Sequence, residues 1–262
     1  MTITILGAGA FGKALGHLLK KNHHQVKYYD PELFPDLTLS AATASAEAIV
    51  IAIPSASLST FLATYPETLK SLPTILATKG LLDLTLFEDF AKLDLISGPM
   101  LAKEIIDNQL SAFTASSDFA ANLFSSSLVR IDRSDDKLGI LLCGSLKNIY
   151  AIGAGYYAEN HNNQAIFIAD AHHELASYLY HHGALPATSE SYCGLADLIL
   201  TCTSQNSRNF RCGSLLREGH SLPAVLGQLT TVEGLSALES LDATDYPLLS
   251  AIKTIVDARS HA

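Results

Sequence analysis

Thr2-Ile3-Thr4-Ile5-Leu6 runs directly into Gly7-Ala8-Gly9-Ala10-Phe11-Gly12, and the reading of this stretch decides the fold. The first five residues are β-branched or apolar, as in a strand buried on both faces. The glycines that follow form G-x-G-x-x-G. From Phe11 to Lys21 the residues Phe11, Leu15, Leu18 and Leu19 fall at helical spacing. A strand, a glycine turn and a helix in this order seat a dinucleotide: Gly7 permits the tight turn, Gly9 lets the backbone approach the pyrophosphate, and Gly12 lets the helix pack on the sheet. The helix start then offers unpaired N–H groups and partial positive charge to the phosphates.

Working outward, Gln25 to Asp30 reads as a second strand. Its last residue lies at about the 20-residue separation of a carboxylate that holds a ribose 2′-OH. Asp30 would repel a 2′-phosphate, so NAD is expected over NADP, with Lys27 the one nearby cation that could aid a phosphate. Ile49–Ile53, Thr74–Thr78 and Leu93–Ser97 are further apolar strands separated by helical stretches. This alternation predicts a Rossmann-type α/β domain: a doubly wound parallel sheet with right-handed crossovers.

After about Asp136 the pattern turns helical, with Leu138–Tyr157, Ala165–His182, Leu195–Leu200, Leu222–Leu229 and Leu248–Val256 as the segments. The charged stretch from Arg130 to Lys137 marks the boundary. The expected domains are residues 1–134, binding the dinucleotide, and an all-α substrate domain over 135–262.

The 262 residues are 48% hydrophobic and 16% charged, the composition of a well-cored globular protein. A net charge of −9 argues against nucleic-acid binding, which needs a basic face. No apolar run reaches the roughly 18–20 uninterrupted residues of a membrane span, and no secretory leader precedes Gly7. Cys143, Cys193, Cys202 and Cys212 include no C-x-x-C pair and read as free thiols in a reducing cytoplasm. The doublets His23-His24, His172-His173 and His181-His182 chelate poorly, because neighbours on a helix point about 100° apart. No metal is expected.

Three charges stand alone in apolar sequence. Lys147 is the only charged residue between Lys137 and Glu159. Burial disfavours an ammonium, and an amine so placed can give a proton to a carbonyl as that carbonyl takes hydride. Lys79 is the only charge between Lys70 and Asp83, at the carboxyl end of a strand, the edge that faces the ligand crevice. Asp197 is alone between Glu190 and Arg208, and a buried aspartate needs a partner, for which Lys147 is the natural candidate. Ser207-Arg208-Asn209 follows and suits an anionic group, with Arg208 as a fork-shaped donor. Together these place an ammonium at 147 across a crevice from the nicotinamide.

With these residues in place the sequence resembles the NAD(P)-dependent glycerol-3-phosphate dehydrogenases. The resemblance rests on Gly7–Gly12, Thr78-Lys79-Gly80, Ser97-Gly98-Pro99, Ala102-Lys103-Glu104, Leu146-Lys147-Asn148, Asp197–Asn209 with Leu200-Thr201-Cys202-Thr203, and Thr231-Val232-Glu233-Gly234. It implies that Lys147 is the proton donor and that Lys79 touches both substrate and cofactor. Asp197, Ser207, Arg208 and Asn209 would hold glycerol 3-phosphate, with Gly98 close by. Ala10, Phe11, Ala102, Arg208, Val232 and Glu233 would lie along the dinucleotide. The C-terminal half would resemble the helical domain of 6-phosphogluconate dehydrogenase. The implied reaction is NADH-dependent reduction of dihydroxyacetone phosphate, feeding glycerophospholipid synthesis, in a cytoplasmic enzyme that can form a homodimer.

Four departures from the family stand out. Met100 occupies a position where it usually has a serine near the substrate. Pro31–Asp36 is shorter than its usual connection after the second strand. The chain ends soon after Glu233-Gly234, without the usual full set of closing helices, and Asp170 replaces a common basic residue. Met100 motivates a second reading, a related dehydrogenase on another small hydroxy or keto compound. The early end motivates a third, a non-catalytic NAD-binding protein, against which the three isolated charges count.

Overall fold

The computed structural model describes residues 1–80, 83–229 and 231–260. They form two compact units, the first holding Met1–Lys79 and Asp83–Lys137, the second holding the chain from Leu138 on.

The first unit is a seven-stranded sheet in the order β2-β1-β3-β4-β5-β6-β7. It opens β1 (Thr2–Leu6), α1 (Ala10–Lys21), β2 (Gln25–Tyr29), α2 (Leu39–Thr43) and β3 (Ala48–Ile51). It continues with α3 (Ser55–Leu62), α4 (Glu67–Lys70), β4 (Thr74–Leu76), β5 (Leu93–Ser97) and α5 (Ala102–Ile106). It closes with β6 (Ser111–Ala115), α6 (Asp118–Phe124) and β7 (Val129–Arg133). Strands β1 to β5 pair in parallel. The chain steps from β1 out to β2 and returns to the other side of β1 at β3. With right-handed crossovers this reversal makes the carboxyl ends of β1 and β3 the switch point where ligands bind. Ile3, Ile5, Leu15, Leu19, Val50, Ile75, Ile96, Phe113 and Phe124 form one buried cluster beneath it.

The sheet is parallel only in part. β6 runs antiparallel to β5, with Ile96 opposite Ala115, and β7 pairs in parallel with β6. Sequence periodicity did not reveal either strand. β7 lies at the sheet edge with Arg130 and Arg133 exposed, so its charges read as a domain boundary although the segment is a strand. Edge strands carry such charges because they block pairing with another chain.

The second unit is helical: α7 (Lys137–Tyr157), α8 (His161–His181), α9 (Asp197–Thr203), α10 (Arg208–Arg217), α11 (Leu222–Gln228), α12 (Glu233–Glu239) and α13 (Pro247–Ser260). Every residue of α7 from Gly139 to Gly155 is buried. Its length and hydropathy would suit a membrane span, but 94% of its apolar window is buried inside the protein, the character of a central core helix. The small residues that punctuate it allow close crossings. A Cβ on Gly155 would collide with the Phe210 carbonyl, and one on Gly213 would collide with that of Ile152. α7 and α10 therefore touch backbone to backbone, which brings Arg208 and Asn209 to the flank of α7.

Candidate active site

Gly7 adopts φ +99°, a left-handed conformation that costs glycine nothing, and its N–H donates to the Tyr29 carbonyl at 2.8 Å. A Cβ at Gly12 would strike the Gly7 carbonyl oxygen, whereas one at Gly9 would meet nothing within 4 Å. Gly9 is the N-cap of α1 without any side-chain cap, and the first turn carries no acid. The opening N–H groups of α1 thus face open space beside a glycine. That cradle fits a dinucleotide pyrophosphate.

Asp30 is more committed than the sequence implied. Its Oδ2 accepts from the Ala8 N–H at 2.8 Å, and its Oδ1 accepts from Glu32 and Leu33 at 3.1 and 3.3 Å. The carboxylate ties the glycine loop to the end of β2 and closes the following turn, keeping further lone pairs for a ribose hydroxyl. Lys27 donates to Ser45 Oγ at 2.9 Å. Lys79, just past β4, sets its ammonium 5.0 Å from the centroid of the Phe11 ring, a cation–π contact. Ala102 opens α5. Gly98 ends the strand region of β5, where a Cβ would lie 2.5 Å from the Phe113 Cα. Met100 is 2% exposed within the sheet's apolar cluster. It is a packing residue there.

In the second unit Lys147 and Asp197 form an ion pair, each side chain 2% exposed. A widened π-helical turn at Tyr192–Ala196 precedes Asp197, a distortion common at functional sites. Thr201, one helical turn on, donates its hydroxyl to the Asp197 carbonyl at 2.6 Å and approaches Oδ1 at 3.4 Å. A second network adjoins the pair. Asn209 donates to Asn148 Oδ1 at 2.9 Å and accepts from the Gly234 N–H at 2.9 Å. Asn148 donates to Glu233 Oε2 at 3.3 Å, and Arg208 Nη2 lies 3.7 Å from Glu233 Oε1 with 44% of its side chain exposed. The Ser207 hydroxyl caps α10 by accepting from the Phe210 N–H at 3.2 Å.

The structure therefore gathers Gly7, Gly9, Ala10, Phe11, Gly12, Asp30 and Lys79 in the first unit. In the second it gathers Lys147 with Asp197, and Asn209 and Arg208 with Glu233, beside the buried Val232. Sequence reasoning named Thr201 and Asn148 only within the blocks that carry the resemblance and gave neither a role. The available signals were a hydroxyl four residues after a lone buried aspartate and an amide beside a lone buried lysine.

Comparison with known proteins gives the family. The N-terminal model of the NAD-dependent glycerol-3-phosphate dehydrogenases matches residues 30–122, and the C-terminal model matches 136–262. The glycerol-3-phosphate dehydrogenase [NAD(P)+] of Pseudomonas syringae is 31% identical over 91% of this chain and 83% of its own. The chain belongs to the glycerol-3-phosphate dehydrogenase family. The enzyme of the same name from Azotobacter vinelandii is 31% identical over 92% of this chain and 84% of its own. Among solved structures, glycerol-3-phosphate dehydrogenase from Coxiella burnetii superimposes with a TM-score of 0.85 at 24% identity, covering 97% of this chain and 94% of that one. Family and fold thus agree with the two-unit architecture.

Proposed function

We propose that this glycerol-3-phosphate dehydrogenase family member reversibly reduces dihydroxyacetone phosphate to sn-glycerol 3-phosphate with NADH, and does so in the cytoplasm. The observation that carries the reading is the buried pair of Lys147 and Asp197. The names of the relatives support the substrate, and four buried free thiols support a reducing compartment.

When bound, NADH supplies a hydride to the ketone carbon. Lys147 holds the proton that the resulting alkoxide oxygen takes, and Asp197 fixes the Lys147 side chain while Thr201 steadies the carboxylate. Lys79 polarises the carbonyl oxygen. Arg208, Asn209 and Ser207 hold the phosphate, and Gly98 lies against the substrate. Gly7 through Gly12, with Ala102, Val232, Glu233 and Arg208, hold the dinucleotide. Asp30 favours NADH over NADPH, since it is acidic, Glu32 and Asp36 follow it, and Lys27 is engaged with Ser45. The burial of Met100 in the apolar core removes the main motive for a different ketone.

The test is NADH consumption with dihydroxyacetone phosphate and with unphosphorylated dihydroxyacetone. Turnover is expected with the phosphorylated ketone alone. Arg208→Ala should lower that rate by about 10–100-fold, the worth of a charged hydrogen bond. An unchanged rate on dihydroxyacetone phosphate in that variant would remove Arg208 from phosphate binding. Absence of turnover on either would leave an NAD-binding protein and end the proposal.

A further inference from the structure

Arg208 and Asn209, neighbours at the start of α10, both meet the first two residues of α12 within the helical unit. The Gly234 N–H donates to Asn209 Oδ1 at 2.9 Å, and Asn209 Nδ2 donates to Asn148 Oδ1 at 2.9 Å. Asn148 Nδ2 in turn donates to Glu233 Oε2 at 3.3 Å and to the Gly144 carbonyl at 3.3 Å. Both amides are buried, and a Cβ on Gly234 would lie 2.5 Å from the Asn148 carbonyl oxygen. This closed ring fixes one oxygen of the Glu233 carboxylate. The other, Oε1, lies 3.7 Å from Arg208 Nη2.

The two partners differ in freedom. Glu233 is 29% exposed and tied to a buried amide, whereas the Arg208 side chain is 44% exposed. Among the described residues each is the other's one ion-pair partner. An ion pair as open as this shifts an equilibrium by about fivefold at most. Charged hydrogen bonds from a guanidinium to a phosphate are worth about 10–100-fold. A phosphate that reaches Arg208 therefore takes the guanidinium from the carboxylate, and the bond to Asn148 keeps Glu233 from following it.

We infer that Glu233 is the resident counter-ion of the phosphate clamp. Its carboxylate stands on Arg208 in place of the substrate's phosphate until that phosphate displaces it, and so sets how tightly a phosphorylated substrate or product is held. The inference rests on the reading of Arg208 as a phosphate ligand. A reaction that runs in both directions must release glycerol 3-phosphate as well as bind it, and a waiting carboxylate eases that release. An unphosphorylated ketone leaves the Arg208–Glu233 pair as it is.

Calorimetric titration of the full chain with glycerol 3-phosphate in saturating NADH tests it, since these two cannot react with each other. Glu233→Gln keeps an oxygen for Asn148 and removes the charge. Its dissociation constant for glycerol 3-phosphate should fall by about two- to fivefold. In an Arg208→Ala background the same substitution should change nothing, because the pair it breaks is already gone. Glu233→Ser, which also gives up the bond to Asn148, should tighten binding in the same Arg208-dependent way, and an unchanged thermal midpoint shows that each fold survives. Unchanged or weaker binding in Glu233→Gln, or an equal gain with and without Arg208, overturns the inference while Arg208 stays a phosphate ligand. If Arg208→Ala alone leaves the dissociation constant unchanged, the phosphate clamp itself falls, and the inference with it.

Discussion

Lys147 and Asp197 sit 50 residues apart in sequence and meet in the interior of the helical unit. Each is tolerable there only against the other, because an unpaired buried charge keeps its full desolvation cost. Lys147→Ala should therefore cost about 3–5 kcal/mol of stability, whereas Lys147→Met with Asp197→Leu should recover most of it; urea denaturation of the three proteins measures both. This part of the site was legible because an isolated charge in an apolar run demands an explanation. Thr201 and Asn148 were not legible, since hydroxyls and amides occur throughout helices and only the fold shows which oxygen they serve. Asp30 was legible in position, but its grip on the Ala8 N–H depends on how the loop folds back. Asp30→Ala should loosen that loop and lower kcat/KM for NADH by tenfold or more, while the NADH-to-NADPH preference shrinks. An unchanged cofactor preference in steady-state kinetics would remove Asp30 from cofactor selection.

Elements show the same division between what pattern reveals and what packing decides. β1, α1 and β3 to β5 could be read from apolar runs and glycine punctuation, because strands buried on both faces leave a continuous signal. β6 and β7 could not, since β6 (Ser111–Ala115) is built of small and polar residues around Phe113 rather than an apolar run, and β7 is a charged edge strand. The helix expected at Leu195–Leu200 is the end of a π-helical turn followed by α9, a change of pitch that residue spacing does not signal. Glu174 illustrates a bond between elements that no local pattern contains. Its carboxylate accepts the Leu248 and Leu249 N–H groups at 2.7 and 3.0 Å and the Tyr150 hydroxyl at 3.2 Å, so α8 caps α13 and anchors it to α7. Glu174→Ala should cost about 1–3 kcal/mol, a lost cap together with a lost charged hydrogen bond. Hydrogen exchange should show the loss first in the opening turn of α13. Faster exchange spread evenly over the unit would contradict a local cap.

Across the whole molecule, all four cysteines are buried. Burial raises the Cys202 thiol well above its ordinary value, with Lys147 opposing and Asp197 adding, and pushes the Cys212 thiol up to about 12. Thiolate is the reactive form, so both thiols should stay inert to a disulfide reagent at pH 8 until the chain unfolds. Rapid labelling of either in the folded protein would contradict this burial. The reaction places a second demand on the molecule, that cofactor binding and proton donation be separable. The most direct measurement pairs NADH affinity with the turnover of dihydroxyacetone phosphate in Lys147→Gln, a variant that keeps a hydrogen bond to Asp197. Turnover should fall by about 10²–10⁴, the range for loss of a general acid, while the dissociation constant for NADH stays within about twofold. Turnover close to that of the unaltered chain would contradict the assignment of Lys147 as proton donor.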